Sequence, residues 1–298
     1  MLWWIPATLL AAAAQVARNG LQANLRSQIG TLGATQVRFV FGLPFACLFW
    51  LGAWALLGEP LPHFTGEAWS YALLGALTQI AATALMLVAM AQRAFGVAYA
   101  YIKTEPILVA LFGVLLLGDT LTLLAWTGIF IATIGILVVS VDPRSWRDLL
   151  REGRPMAFGI GAGAFFGLAS VALRGAIVSM EGGGFFMRAL TVLAVVMAVQ
   201  TLVLGLYLAL FDRPAFVGSL RIWRQSLTAG FLGALATAGW NVALSLSAAA
   251  NVRTLGLIEM PVAGFFNRHV SGGTLSRREW LGMVLVIGGI ALLMTQAL

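Results

Sequence analysis

The sequence predicts an all-α polytopic membrane protein with ten transmembrane helices, arranged as two inverted five-helix repeats. Its composition, the lengths of its uncharged runs and a set of features that recur at one interval support this prediction. Of 298 residues, 60% are apolar and 10% are charged, and the mean hydropathy is +0.94. A soluble domain is only about 45–50% apolar. The chain is therefore expected to lie in a lipid bilayer.

The uncharged runs have the length of membrane-spanning helices. About 20 apolar residues cross the hydrocarbon core. The qualifying runs are 39–58, 68–92, 120–141, 155–173, 189–211, 225–252 and 280–298. Three further segments, at 1–17, about 94–118 and 251–272, bring the expected number of crossings to ten, with a loop at 22–32 after the first. A β-barrel is disfavoured because barrel strands alternate in and out, whereas these runs are apolar on both parities.

Features of the first half recur in the second at an interval of about 154 residues. The matching pairs are Trp126 with Trp280, Gly128 with Gly282, Gly135 with Gly289 and, one residue further apart, Pro106 with Pro261. Five helices in each half is an odd number, so the second half would enter the membrane from the opposite side. Inverted repeats of this kind are typical of secondary transporters. We place the repeats at 1–141 and 156–298, joined by a charged cytoplasmic linker at 142–155.

The net charge of +7 does not indicate nucleic-acid binding, because the arginines follow the predicted helix ends. They concentrate in the predicted loops at 22–32, 92–95, 142–155, 212–224 and 268–278. The positive-inside rule assigns such loops to the cytoplasm. Both termini are therefore predicted to be external, in the cytoplasmic (inner) membrane of a bacterium.

Ionisable residues within predicted spans are candidate functional residues, because each costs about 2.5 kcal/mol or more to insert. Lys103, the only lysine, is expected to hold a substrate carboxylate. Glu105 and Glu259 are proton-coupling candidates, or else structural partners of Arg38, Arg188 or Arg253. Pro106 and Pro261 are expected to break their helices and act as hinges, since proline leaves a backbone carbonyl without its donor.

Other polar and aromatic residues at membrane depth complete the predicted substrate-binding set. Besides Lys103, its members are Gln15, Arg18, Asn19, Gln79, Tyr99, Tyr101, Arg174, Trp240 and Asn241. For most of them the alternative is a hydrogen bond to a neighbouring helix. Gly159, Gly163 and Gly167, four residues apart, predict a helix-packing face rather than a nucleotide-binding loop.

The pattern in the fourth and fifth helices carries a family resemblance. Each fourth helix has an acid and a proline, Glu105-Pro106 and Glu259-Met260-Pro261, and Gly118-Asp119 precedes Trp126. This arrangement resembles the drug/metabolite transporter superfamily, EamA type. The resemblance implies small-metabolite transport, often export. The sequence departs from the family at Asp119, where glutamate is usual, and at Gly272-Gly273 in the second half.

The expected function is secondary active transport of a small anionic or zwitterionic metabolite, an amino acid or related carboxylate, by alternating access. Basic groups outnumber acids in the predicted spans, which favours an anionic solute. The expected partners are this solute, the lipid bilayer and protons. No nucleic acid, cofactor, metal or enzymatic activity is expected, and monomer and homodimer both stay open. The alternatives are an intramembrane enzyme acting on a lipid-linked substrate, and a passive facilitator or exchanger.

Overall fold

The computed structural model describes residues 2–92, 95–140, 153–259 and 276–297. Their structure consists of helices joined by short connections. The helices are α1 Trp4–Val40, α2 Leu43–Leu57, α3 Gly66–Gln92, α4 Phe95–Ile102, α5 Glu105–Leu117, α6 Leu123–Ser140, α7 Gly153–Val178, α8 Phe185–Phe211, α9 Arg213–Arg221, α10 Trp223–Leu246, α11 Ala249–Leu255 and α12 Arg277–Ala297. A 3₁₀ turn, Gly256–Ile258, follows α11.

Eight segments of the described chain are long and apolar enough to cross a membrane. The first, Trp4–Leu57, has 54 residues, and as one straight helix it would be about 80 Å long. Instead the chain reverses at Gly30, whose φ of 73° and ψ of 174° are not helical. The Gln22 side chain donates to the Ala34 carbonyl at 2.9 Å, a contact that only a hairpin permits. This segment therefore forms two antiparallel helical arms joined at Gly30.

Two predicted loops are helical over part of their length. The loop expected at 22–32 contains the reversal at Gly30, but its first part is helical, because α1 continues to Gly30 and buries Gln22 and Leu25. The prediction took charged residues as span ends, but Arg18 is fully buried inside this helix. The loop expected at 212–224 holds α9, which starts where the Asp212 side chain accepts the Ala215 backbone N–H at 3.2 Å.

Three helix pairs form the core of the bundle: α3 packs along α7, α1 along α10, and α6 along α12. The third contact depends on glycine. A Cβ on Gly128 would lie 2.6 Å from the Gly289 carbonyl oxygen, and one on Gly135 would lie 2.8 Å from the Gly282 carbonyl oxygen. The glycines that match in the two halves of the sequence therefore meet in space.

The two ends of the bundle differ in character. At one, which we call the bridged end, residues 58–65 lie against residues 179–184. His63 and Glu181 exchange backbone hydrogen bonds of 2.7 and 3.0 Å there, and the Gly184 backbone N–H donates to the Glu59 carboxylate at 2.8 Å. At the other, the basic end, the Gly30 hairpin lies against α9, which carries Arg213 and Arg221.

Candidate functional site

The fourth predicted span is broken near its middle, where two of the candidate residues lie. Helix α4 ends at Ile102, and α5 begins at Glu105. Pro106 sits in the first turn of α5 and has no N–H to donate, so the helix cannot continue through it. The Ile102 carbonyl faces α7, where a Cβ on Gly163 would lie 2.7 Å from its oxygen. The absence of a side chain at Gly163 therefore makes room for the break.

Two ion pairs join this break to the segment after α10. Lys103 pairs with Glu259. The Arg253 Nε and Nη2 atoms both lie 2.5 Å from Glu105 Oε1. Lys103 and Glu105 are two residues apart and point in different directions, so neither neutralises the other. Arg253 was one of the structural partners that the sequence left open for the two acids.

Trp240 forms a wall beside the second ion pair. The Arg253 guanidinium lies 4.2 Å from the centroid of the indole ring, in the geometry of a cation–π contact. The indole Nε1 donates to Gln15 Oε1 at 3.0 Å. Trp240 thus connects α10, α11 and α1, and its polar atom is bonded within the protein.

A second cluster of arginines lies between α1 and α10. Arg18 donates to the Asn19 side chain through Nε and Nη2, at 3.1 and 2.5 Å. Arg38 donates from Nη1 to the Thr83 hydroxyl at 2.9 Å and from Nη2 to the Thr237 hydroxyl at 3.4 Å. A Cβ on Gly233 would lie 3.3 Å from Arg38 Cγ and 3.4 Å from Arg18 Cδ. The two arginine stems therefore cross α10 at a residue without a side chain.

The centre of the described bundle carries an excess of positive charge. Six ionisable residues there are between 0 and 7% exposed: Arg18, Arg38, Lys103, Arg253, Glu105 and Glu259. Four are basic and two are acidic, and both acids belong to the ion pairs described above. Arg38 is repelled by the charges of Arg18 and Arg253. Such a centre attracts anions rather than cations.

The structure places the remaining predicted residues around this centre or at the bridged end. The Tyr101 ring packs at Gly159, confirming the predicted glycine face of α7. Gln79 accepts from Gln200 at 2.8 Å, and Asn241 donates to the Ala189 carbonyl at 3.2 Å. Tyr99 belongs to α4, but its side chain is outside the described part of the structure, and Pro261 lies outside the described residues.

Arg174 does not join the central cluster. Its Nη1 atom donates to the Leu244 and Ser247 carbonyls, each at 2.6 Å, where α10 ends. The Asp119 carboxylate is near enough to attract it. Arg174 therefore holds the bridged end of α7 to α10.

Sequence reasoning did not include Arg38, Thr83 and Thr237 in the predicted binding set. Thr83 and Thr237 are 154 residues apart, the same interval that relates the two halves. This shared interval is the sequence feature that could have identified the two threonines. The sequence predicts Arg38 as a partner for an acid, whereas in the described structure it bonds to neither Glu105 nor Glu259.

Glu259 also borders a cavity of about 550 Å³. Its other walls are Ile258 and an apolar face of α1 that includes Ala12, Ala13 and Val16. No group of three metal-ligating side chains occurs among the described residues.

Comparisons with known proteins give a family and a fold. Residues 2–141 match the model of the EamA-like transporter family. No curated protein matches the chain significantly. A solved structure titled "Crystal structure of protein" is similar, with a TM-score of 0.63, 16% sequence identity, and coverage of 98% of this chain and 99% of that chain. At this identity the likeness concerns the fold alone.

Proposed function

Since the chain belongs, through residues 2–141, to the EamA-like transporter family within the drug/metabolite transporter superfamily, it is a membrane transporter, and we propose that its cargo is a small anionic or zwitterionic metabolite. An amino acid or related carboxylate is the class we favour. Export is the direction that the family resemblance suggests.

The excess of buried positive charge is the observation that carries this proposal. Among the described residues, the buried basic groups are Arg18, Arg38, Lys103 and Arg253, and the buried acids are Glu105 and Glu259. An ionised group at membrane depth is costly unless it is paired. A carboxylate supplied by the solute would reduce this imbalance, whereas a lipophilic cation would increase it.

Proton coupling would follow from competition for Lys103, which pairs with Glu259 in this conformation. A substrate carboxylate that displaces ionised Glu259 leaves two acids facing one ammonium group. If Glu259 takes up a proton, Lys103 is released to the substrate without that repulsion. Proton uptake by Glu259 and substrate binding at Lys103 would therefore be linked.

Alternating access would use the contacts that link the predicted repeats. Both central ion pairs join residues of 1–141 to residues of 156–298. The break between α4 and α5, next to Pro106, is a natural hinge. We infer ten crossings in two inverted repeats, with the basic end in the cytoplasm as the positive-inside rule expects.

Binding and flux measurements test this function. The first step is thermal stabilisation of the purified protein by glutamate, succinate and leucine, because a ligand that binds the folded state raises its apparent stability. The solute that stabilises most is then followed in proteoliposomes. We expect Lys103→Ala to reduce its flux by roughly tenfold or more, since a charge-assisted contact is lost. Glu259→Gln should keep binding but abolish its pH dependence.

Exposed residues supply matched controls, in which one basic or one acidic side chain is likewise made neutral. Arg221→Gln and Glu67→Gln should keep wild-type flux and pH dependence, because both side chains lie on the surface. Wild-type transport in both Lys103→Ala and Glu259→Gln would overturn these residue roles. Flux without saturation or counterflow would favour the passive alternative.

A further inference from the structure

Arg38 is a buried cation that no described acid neutralises. Its side chain is 2% exposed, and the two threonine hydroxyls are its only hydrogen-bond acceptors in the described structure. The described acids outside the two ion pairs are Glu59, Glu67, Asp119, Glu181, Asp212 and Glu279. None of them bonds to Arg38.

The guanidinium retains donors that the protein does not use. An arginine has five N–H groups, and the hydroxyls of Thr83 and Thr237 take one from each terminal nitrogen. The Nε atom of Arg38 is buried and has no hydrogen-bond partner among the described residues. A donor buried without a partner costs about 1–3 kcal/mol. The remaining donors on adjacent nitrogens match the two oxygens of a carboxylate.

The charged surroundings of Arg38 also favour the binding of an anion. Arg18 crosses the same glycine of α10, Gly233, and both Arg18 and Arg253 repel Arg38. In a medium of low dielectric constant this repulsion is only weakly screened. An anion beside Arg38 would relieve the repulsion and satisfy Nε at the same time.

We propose that Arg38 binds the carboxylate of a small organic acid, and that Thr83 and Thr237 orient its guanidinium group for this contact. This inference rests on the proposed transport function and sharpens it. Lys103 is neutralised by Glu259 in this conformation, while no carboxylate of the described residues bonds to Arg38. A carboxylate therefore binds at Arg38 without prior protonation of Glu259, and Lys103 acts at a later step.

The two threonines connect Arg38 to both predicted halves of the chain. Thr83 lies on α3 and Thr237 on α10, at positions 154 residues apart. The guanidinium thus spans equivalent positions of the two predicted repeats. An anion bound there would lie at the junction between the two predicted repeats. A change in the relative position of the repeats would therefore alter its contacts.

The test compares carboxylates with their amides on the purified protein. Glutarate, succinate and acetate are the probes, and glutaramide, succinamide and acetamide are the neutral controls. We expect only the carboxylates to raise the melting temperature of the wild type. In Arg38→Gln their apparent affinity should fall about 10- to 100-fold, as for loss of a charge-assisted hydrogen bond. Arg221→Gln, which removes an exposed arginine at the basic end, should respond like the wild type.

The basal stability of Arg38→Gln separates a binding role from a structural one. If Arg38 awaits an anion, its removal in ligand-free buffer should leave the melting temperature unchanged or raised, because an uncompensated buried charge is lost. A lowered melting temperature with an unchanged response to carboxylates would overturn the proposal. Thr83→Val and Thr237→Val remove only the orienting hydroxyls, and each should weaken carboxylate binding by about threefold to tenfold.

The two proposals fail in distinguishable ways. If carboxylates protect the wild type and Arg38→Gln equally while Lys103→Ala loses protection, the role of Arg38 is wrong and the transport proposal stands. If no carboxylate protects the wild type, the anionic cargo itself is refuted.

Discussion

At the residue scale, the defining feature is that buried acids and bases from distant parts of the chain neutralise one another. Glu105 and Arg253 are 148 positions apart in sequence, yet their side chains share a hydrogen bond of 2.5 Å. Neither could remain ionised at membrane depth alone without a large cost. The pair therefore fixes α5 to α11 for as long as both groups are charged.

Removing one partner of this pair should destabilise the protein more than removing both. We expect Glu105→Met and Arg253→Met each to lower the free energy of unfolding by about 3–5 kcal/mol, because each leaves its partner as an unpaired buried charge. In the double variant Glu105→Met/Arg253→Met the loss should be clearly smaller than the sum of the single losses. Thermal unfolding in detergent micelles measures the cycle.

An exposed acid provides the reference for this cycle. Glu67→Gln lies in the first turn of α3 on the surface, so it should change stability by less than about 0.5 kcal/mol. Additive losses in the Glu105 and Arg253 variants would contradict the assigned pairing.

At the element scale, glycine and proline decide where helices break and how closely they approach. Pro106 follows the break between α4 and α5, and Gly163 leaves space for the carbonyl that the break exposes. Gly128 and Gly289 let α6 and α12 approach to a distance that a Cβ would prevent. Gly30 reverses the chain between the two helical arms of Trp4–Leu57.

The hairpin at Gly30 should be intolerant of a side chain. Its φ of 73° and ψ of 174° belong to a region that is open almost only to glycine. A Cβ there would have no atom within 4 Å, so any cost of Gly30→Ala comes from the backbone alone. We expect a loss of about 1–3 kcal/mol in the free energy of unfolding, measured by thermal denaturation.

The same helix offers a matched control. Gly20 lies within α1, and a Cβ there also has no atom within 4 Å. Because its backbone is helical, Gly20→Ala should stabilise the protein by about 0.5–1 kcal/mol. Equal effects of the two substitutions would show that the Gly30 reversal is not as described.

At the scale of the whole molecule, contacts between 58–65 and 179–184 close the bridged end. His63 and Glu181 form a hydrogen-bonded antiparallel pair, and these segments belong to different predicted repeats. If access alternates between the two ends, this bridge must open during the cycle. Arg174, which ties α7 to the end of α10, would be released in the same step.

A disulfide across the bridge should therefore stop transport. The Cα atoms of a hydrogen-bonded antiparallel pair are about 5.5 Å apart, which suits a disulfide. In a Cys47→Ala background, which removes the single natural cysteine, we expect oxidised His63→Cys/Glu181→Cys to lose flux and regain it on reduction. Flux in proteoliposomes, with and without reductant, is the measurement.

Single-cysteine variants control this experiment and report the orientation. His63→Cys alone should transport equally under both conditions. On intact cells a membrane-impermeant maleimide should label Glu181→Cys, and it should label Arg221→Cys only after permeabilisation. Undiminished flux through the oxidised double variant would refute opening at the bridged end, and the reverse labelling pattern would refute the cytoplasmic basic end.

The sequence by itself determined that this chain lies in a membrane, forms apolar helices, matches the EamA-like transporter family over residues 2–141 and breaks its fourth span beside Pro106. These properties depend on composition and on neighbours along the chain, which the sequence displays directly. It placed the first loop at 22–32, which includes Gly30, but it did not reveal that the helix continues to that glycine with Arg18 buried inside it. Only the tertiary structure decided that Lys103 meets Glu259, that Glu105 meets Arg253 and that Arg38 bonds to two hydroxyls and to no acid of the described residues. Helix packing sets those partnerships, because groups more than 100 residues apart become neighbours only when the helices assemble.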